Sequence, residues 1–108
     1  MNQYLYKLNL VSRLNSDDVW TNEDHIIISE HFNYLKGLTE EGIALLVGRT
    51  DREYEDGFGI VIFYAKDWEA AMSIMNGDPA IQKGIMQGTL YAYKIALESI
   101  SNKEGGQI

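Results

Sequence analysis

The chain has 108 residues, 45% hydrophobic and 23% charged, with Asp plus Glu outnumbering Lys plus Arg 16 to 9 for a net charge of -7. That length and composition fit one compact globular domain with a modest core and leave no room for two. The acidic balance argues against nucleic acid and anionic membrane surfaces as partners, since both need a basic stripe, and the absence of cysteine excludes disulfides, thiol catalysis and zinc-thiolate sites.

The first segment, MNQYLYKLNL, lacks the basic region and long apolar stretch of a signal peptide. It alternates instead. Tyr4, Tyr6, Leu8 and Leu10 share one face, and Leu5, Lys7, Asn9 and Val11 the other, which predicts a strand over 4–11. Ser16, Asp17 and Asp18 form a polar connection. Thr21 followed three residues later by Asp24 is a helix start with an acid in the first turn. Ile28, Phe32, Leu35 and Leu38 then recur at helical spacing with Ile27 and His31 beside them, and Gly42 is the stop signal.

Residues 43–48 (IALLVG) are a short apolar run and predict a strand. Residues 49–56 are a charged turn. Residues 58–65 (FGIVIFYA) are apolar on both faces and predict a central strand. A second helix starts at about Asp67, with Trp68, Ala71, Met72 and Met75 on one side. Asp78-Pro79 is a fresh helix start, with aspartate at the cap and proline at the first helical position. Residues 89–97 predict the last strand, with Tyr91, Tyr93, Ile95 and Leu97 on one face. Residues 1–98 form the expected domain and 99–108 a polar tail. No run approaches the ~18 apolar residues of a membrane-spanning helix, and the expected location is the cytoplasm.

The resulting order, β-α-β-β-α-(short helix)-β, is that of a ferredoxin-like split βαβ fold, an α+β class with a four-stranded antiparallel sheet. Two helices cover one face of such a sheet. Three of the predicted strands carry large apolar residues on both faces, so the second face needs a cover. Dimerisation of sheet on sheet supplies it most simply.

Chemistry-bearing residues are few. His25 and His31 lie about 120° apart on a regular helix and cannot share a site. His25 stands among acids in the first turn, as a solvated residue. His31 lies on or beside the apolar stripe, either as a core-edge histidine held by one hydrogen bond or as a general acid/base. Asp78 is a helix cap, or the carboxylate that orients a histidine, and the two roles are compatible because a carboxylate has two oxygens. The seven tyrosines (4, 6, 34, 54, 64, 91 and 93) pack the strands or line a pocket. The acids at Asp51, Glu53, Glu55 and Asp56 read as a solvated loop by default, with a carboxylate metal site as the alternative, although their spacing matches no EF-hand. Walker, nucleophile-elbow and dinucleotide fingerprints are absent. Gly84 and Gly88 have GxxxG spacing outside any membrane segment.

Five features in order give the chain a resemblance to the YciI-like (YCII-related domain) proteins, from about Tyr4 to Leu97. They are His31 within ISEHFNYLKGL, Gly42 and Gly48 around the second strand, the apolar third strand, the helix start DWEAA, and Gly77-Asp78-Pro79 followed by Gly84 and the last strand. The resemblance implies a ferredoxin-like fold that pairs into a dimeric α/β barrel. It also implies a cleft with a catalytic histidine–aspartate pair, which carries over to His31 and Asp78, and lyase or dehalogenase chemistry on small ring compounds. Two positions depart from the family pattern. Arg49 stands where proline often follows the glycine matching Gly48, and Ala80 where an aromatic residue often follows the Asp-Pro. Gly48 and Arg49 are therefore candidate substrate-binding residues, Arg49 as a binder of a ligand carboxylate.

The expectation is a cytoplasmic homodimer with a small-molecule cleft in each subunit. His31 transfers a proton and Asp78 orients it, as in a lyase, isomerase or dehalogenase, and no cofactor or metal is called for. The alternative is a ligand-binding or regulatory dimer of the same fold, in which His31 only hydrogen-bonds the ligand.

Overall fold

In the computed structural model, which describes residues 1–51 and 56–99 (the Asp17 side chain excepted), β1 spans Asn2–Leu10. Its alternation is the one the sequence predicts: Tyr4, Tyr6 and Leu8 are buried. Two short 3-10 turns follow, Ser12–Leu14 and Asp17–Val19. They give the polar connection more structure than its composition suggests, because Leu14 is buried and its carbonyl accepts from Trp20 Nε1 at 3.2 Å.

Helix α1 is Asn22–Glu40. Its N-terminus is a full capping box: Thr21 Oγ1 accepts from the Asp24 N–H, and Asp24 Oδ2 accepts from the Thr21 N–H. Asp24 is also gripped from the preceding loop. The Arg13 guanidinium donates to both of its oxygens at 2.7 and 2.9 Å. These donors hold the Asp24 carboxyl well below the usual carboxylate range, against the opposing effect of burial. The helix ends at Gly42, whose φ of +79° suits a residue without Cβ.

Strand β2 is Ala44–Arg49, β3 is Gly59–Ala65, α2 is Trp68–Asn76, α3 is Pro79–Gln82 and β4 is Met86–Ala92. The sheet order is β2-β3-β1-β4 with every pair antiparallel, the ferredoxin-like arrangement. The helices lie on one face. Tyr4, Tyr6, Leu8, Val61, Phe63, Ala65 and Leu90 of the sheet form one core with Leu35, Ala71 and Met75. Leu14, Ile27, Ala80 and Ile85 make a second cluster, where the 3-10 turn meets α1 and α3.

Two expectations are corrected. The last strand is Met86–Ala92 and not 89–97. It pairs with β1 from Leu10↔Met86 to Tyr4↔Ala92, so its partner runs out near the start of β1. The apolar pattern of residues 93–97 continues past that ladder, where the segment is tied to β1 through Gln3, whose side-chain oxygen accepts the Ile95 N–H at 2.8 Å. Tyr93 N–H reaches the Gln3 carbonyl at 3.1 Å, and Leu97 is almost fully exposed. The strand's early half escaped the pattern because Gly88 interrupts it. An added Cβ at Gly88 would lie 2.6 Å from Ile81 Cδ1 and 3.0 Å from Met75 Sδ, so the glycine lets the helices approach β4 closely.

Secondly, Phe32 is not part of the buried stripe of α1. It is 64% exposed, and the stripe runs through Ile27, His31 and Leu35. On α2, Ala71 and Met75 are buried, and Trp68 and Met72 flank them half-buried, with the Trp68 ring edge-on against Tyr4. Of the charged turn, residues 52–55 lie outside the described residues, as do Glu53, Glu55 and Tyr54. The tail from residue 100 onward lies outside them too.

Candidate functional site

Three elements converge on one buried carboxylate. The apolar stripe of α1 turns His31 inward, four residues after Ile27 and four before Leu35. The Gly77-Asp78-Pro79 junction between α2 and α3 places Asp78 in extended backbone (φ -65°, ψ 122°), with proline opening α3. The alternation of β1 points Tyr6 at the same spot from the sheet.

Asp78 has no exposed surface. Its Oδ1 lies 2.7 Å from His31 Nδ1 and accepts the Ala80 backbone N–H at 3.0 Å. Its Oδ2 accepts the Tyr6 hydroxyl at 2.8 Å. Burial and the Asp78 charge push the Tyr6 phenol far above its ordinary range, so Tyr6 stays a donor. Burial and Asp78 raise Tyr34 as well, and its hydroxyl donates to the Ile74 carbonyl at 2.8 Å.

The His31 side chain keeps 14% of its surface exposed, against none for Asp78. With Nδ1 donating to the carboxylate, the lone pair of the neutral ring sits on Nε2. Among the described residues Nε2 has no hydrogen-bond partner. The arrangement is a partly accessible imidazole backed by a fully buried carboxylate. It can take a proton at Nε2, return it, or accept a hydrogen bond there.

Beside the pair, Lys83 and Glu30 bridge α3 and α1 at 2.7 Å on the surface. His25 is exposed, as its acidic surroundings predict, and its ring lies 5.3 Å from that of Trp20. Among the described residues no three His, Asp or Glu side chains gather in a way that could hold a metal ion.

Gly48 and Arg49 lie elsewhere. With Leu46, Thr50, Phe58 and Ile60 they line a shallow depression of about 200 Å³ at one edge of the sheet. Arg49 donates to the Thr50 carbonyl at 3.2 Å. Neither His31 nor Asp78 lines that depression. β3 stands between β2, which carries Gly48 and Arg49, and β1, which carries Tyr6. A second depression of about 260 Å³ lies between α1 and β2, lined by Phe32, Leu35, Lys36, Thr39, Glu40 and Val47. Ala80, the other position that departs from the family pattern, is at the site itself through its backbone N–H.

Sequence reasoning brought His31 and Asp78 together but not Tyr6. A signal for Tyr6 existed. A tyrosine at an inward position of a central strand buries its ring and must still find an acceptor for its hydroxyl.

The family model described as YCII-related domain matches residues 10–92. Among solved structures, the chain is similar to the 5-chloro-2-hydroxyhydroquinone dehydrochlorinase TftG of Burkholderia phenoliruptrix AC1100, determined in complex with 2,5-dihydroxybenzoquinone. The TM-score is 0.63 at 17% identity, over 85% of this chain and 93% of that one, a likeness of fold. The search of curated proteins gives no match.

Proposed function

Because the chain belongs to the YCII-related domain family, we propose that it is a small-molecule enzyme working by proton transfer, with His31 as the acid/base and Asp78 as its orienting partner. The observation that carries this reading is the 2.7 Å contact between a partly exposed imidazole and a carboxylate with no exposed surface. Asp78 fixes which ring nitrogen is protonated and stabilises the imidazolium when Nε2 accepts a proton. Such chemistry suits lyase, isomerase or dehalogenase steps, where a proton leaves a ring carbon or hydroxyl as a bond elsewhere breaks, and it needs no cofactor.

The dehydrochlorinase of similar fold suggests hydroxylated ring compounds as the first substrates to try. Chlorinated hydroxyhydroquinones are followed by absorbance and chloride release, and dihydroxybenzoquinones by absorbance alone. Turnover by the wild type and its loss by about 10²–10⁴-fold in His31→Ala, with the fold intact, is the expected result. Turnover that survives His31→Ala sinks the proposal.

The reading includes a homodimer formed through the sheet face that the helices leave bare. Leu5, Ile60, Ile62 and Tyr64 are only half-buried there, and Leu46 and Tyr91 are exposed. Gly48 and Arg49 border this face, as part of a ligand site or of the interface. The proposed location is the cytoplasm, and no helix among the described residues is long and apolar enough to cross a membrane. A binding or regulatory dimer is the second reading. It is favoured by the structural duties Asp78 already has, as the cap of α3 and the acceptor of Tyr6. A ligand recovered unchanged supports it, and a modified one the enzyme.

A further inference from the structure

Tyr6 has a duty that core packing does not explain. Its ring is fully buried against Phe63, 5.6 Å away and edge-on. Phenylalanine would fill that space equally well. The hydroxyl instead meets the one oxygen of Asp78 that faces neither His31 nor the helix cap. All three donors of the site thus divide between the two oxygens: Ala80 N–H and His31 Nδ1 on Oδ1, Tyr6 on Oδ2. A carboxylate bonded on both oxygens cannot rotate about its Cβ–Cγ bond without breaking a buried hydrogen bond, which costs on the order of what an unsatisfied buried group costs.

We propose that Tyr6 is a positioning residue of the site: its hydroxyl locks the Asp78 carboxylate toward His31 and draws off part of the carboxylate's charge, moderating the basicity of the imidazole. The inference rests on the His31–Asp78 reading above and adds the residue that sets its strength. The physics is a competition. When His31 is protonated, it draws the Asp78 charge toward Oδ1 and weakens the Tyr6 hydrogen bond. When His31 is neutral, the Tyr6 bond is at full strength. The hydroxyl therefore favours the neutral imidazole, and its removal favours the imidazolium.

The charged and titratable groups near the pair leave this role to Tyr6. From α1 come Tyr34, whose hydroxyl is committed to the Ile74 carbonyl, and Glu30, which is paired with Lys83 at the C-terminal cap of α3. Asp24, nearly two turns before His31, is held by Arg13. From β1 comes Tyr6 itself. Among the described residues, only the Tyr6 hydroxyl reaches Asp78 Oδ2.

The test is an NMR pH titration of the His31 ring, with His25 as the internal reference. In Tyr6→Phe the His31 midpoint should move up by about half a pH unit or more relative to wild type. Tyr34→Phe should leave it in place, and in an Asp78→Asn background Tyr6→Phe should move it no further. If Tyr6→Phe does not fold, 3-fluorotyrosine incorporated at the tyrosine positions keeps the shape and strengthens the donor, and the midpoint should move down. Equal midpoints in wild type and a folded Tyr6→Phe overturn the inference, as does a 3-fluorotyrosine protein whose midpoint is unmoved or raised. A folded Asp78→Asn that leaves the His31 midpoint at its wild-type value overturns the underlying pair instead, so the two failures are told apart.

Discussion

Asp78 is a carboxylate with no exposed surface, and its stability rests on three donors arriving from three elements. Truncation to alanine removes the acceptor from all three at once. The Tyr6 hydroxyl is then buried without a partner, and α3 loses its cap. Losses of this kind sum to about 3 kcal/mol, near those seen when one member of a buried pair is removed. Asp78→Asn is different. Its carbonyl oxygen can still accept from Ala80 N–H, and its amide can donate to the Tyr6 oxygen, so the loss should be about 1 kcal/mol. Urea denaturation of the two variants checks this. Equal losses would mean that Asp78 stabilises by charge alone and that the hydrogen-bond geometry is incidental. Activity should separate from stability: both variants lose the carboxylate behind His31.

At the scale of the element, the start of α1 is held by two independent devices on Asp24, the capping box with Thr21 and the fork from Arg13. The folded-state carboxyl of Asp24 is depressed, with the Arg13 hydrogen bond as the largest cause. A depressed acid contributes stability above its unfolded value near pH 4, and that contribution is lost as the pH falls through the folded value. Thermal melts should therefore show stability falling below about pH 4, and Arg13→Met should reduce the plateau above that pH while making the acid limb shallower. A limb unchanged by Arg13→Met would assign acid unfolding to other carboxylates. This corner of the fold shows what a sequence withholds. Thr21 and Asp24 are adjacent enough to announce a cap, but Arg13 reaches Asp24 from the first of two 3-10 turns, each too short to leave a periodic trace. The strands show the same divide. The period of two in β1 and the two-faced apolar run of β3 are local and legible. The limits of β4 depend on where β1 begins, and pairing is not written in either strand alone. At the site, residue type and spacing exposed His31 and Asp78, and the resemblance joined them. Tyr6 stayed hidden because alternation shows that a side chain points inward but not which acceptor it meets.

At the scale of the molecule, the sheet has one face under the helices and one that no helix or strand among the described residues covers. Leu5, Ile60, Ile62 and Tyr64 lie in register across the two central strands, as Leu5↔Ile62 and Leu46↔Ile62 partners show, and Tyr91 continues the face onto β4 opposite Leu5. Lys7, the cation amid this face, sets its ammonium 4.7 Å from the Phe58 ring centroid at the sheet's flank. Its stem can therefore be buried while its charge stays at the edge. A second copy of the chain laid on this face would remove the apolar surface from water on both sides. The dimer is then part of the folded state, and mass action makes its stability depend on concentration. The melting temperature should rise as protein concentration is raised tenfold, and sedimentation at micromolar concentration should give twice the chain mass. Ile62→Lys places a charge at the centre of the face without touching the helix-side core, where Val61 and Phe63 point. It should give a folded monomer whose melting temperature no longer depends on concentration. A wild-type chain that sediments as a monomer and melts at one temperature across that range would leave the face open to solvent and remove the dimer from the proposed function, with the His31–Asp78 pair standing on its own.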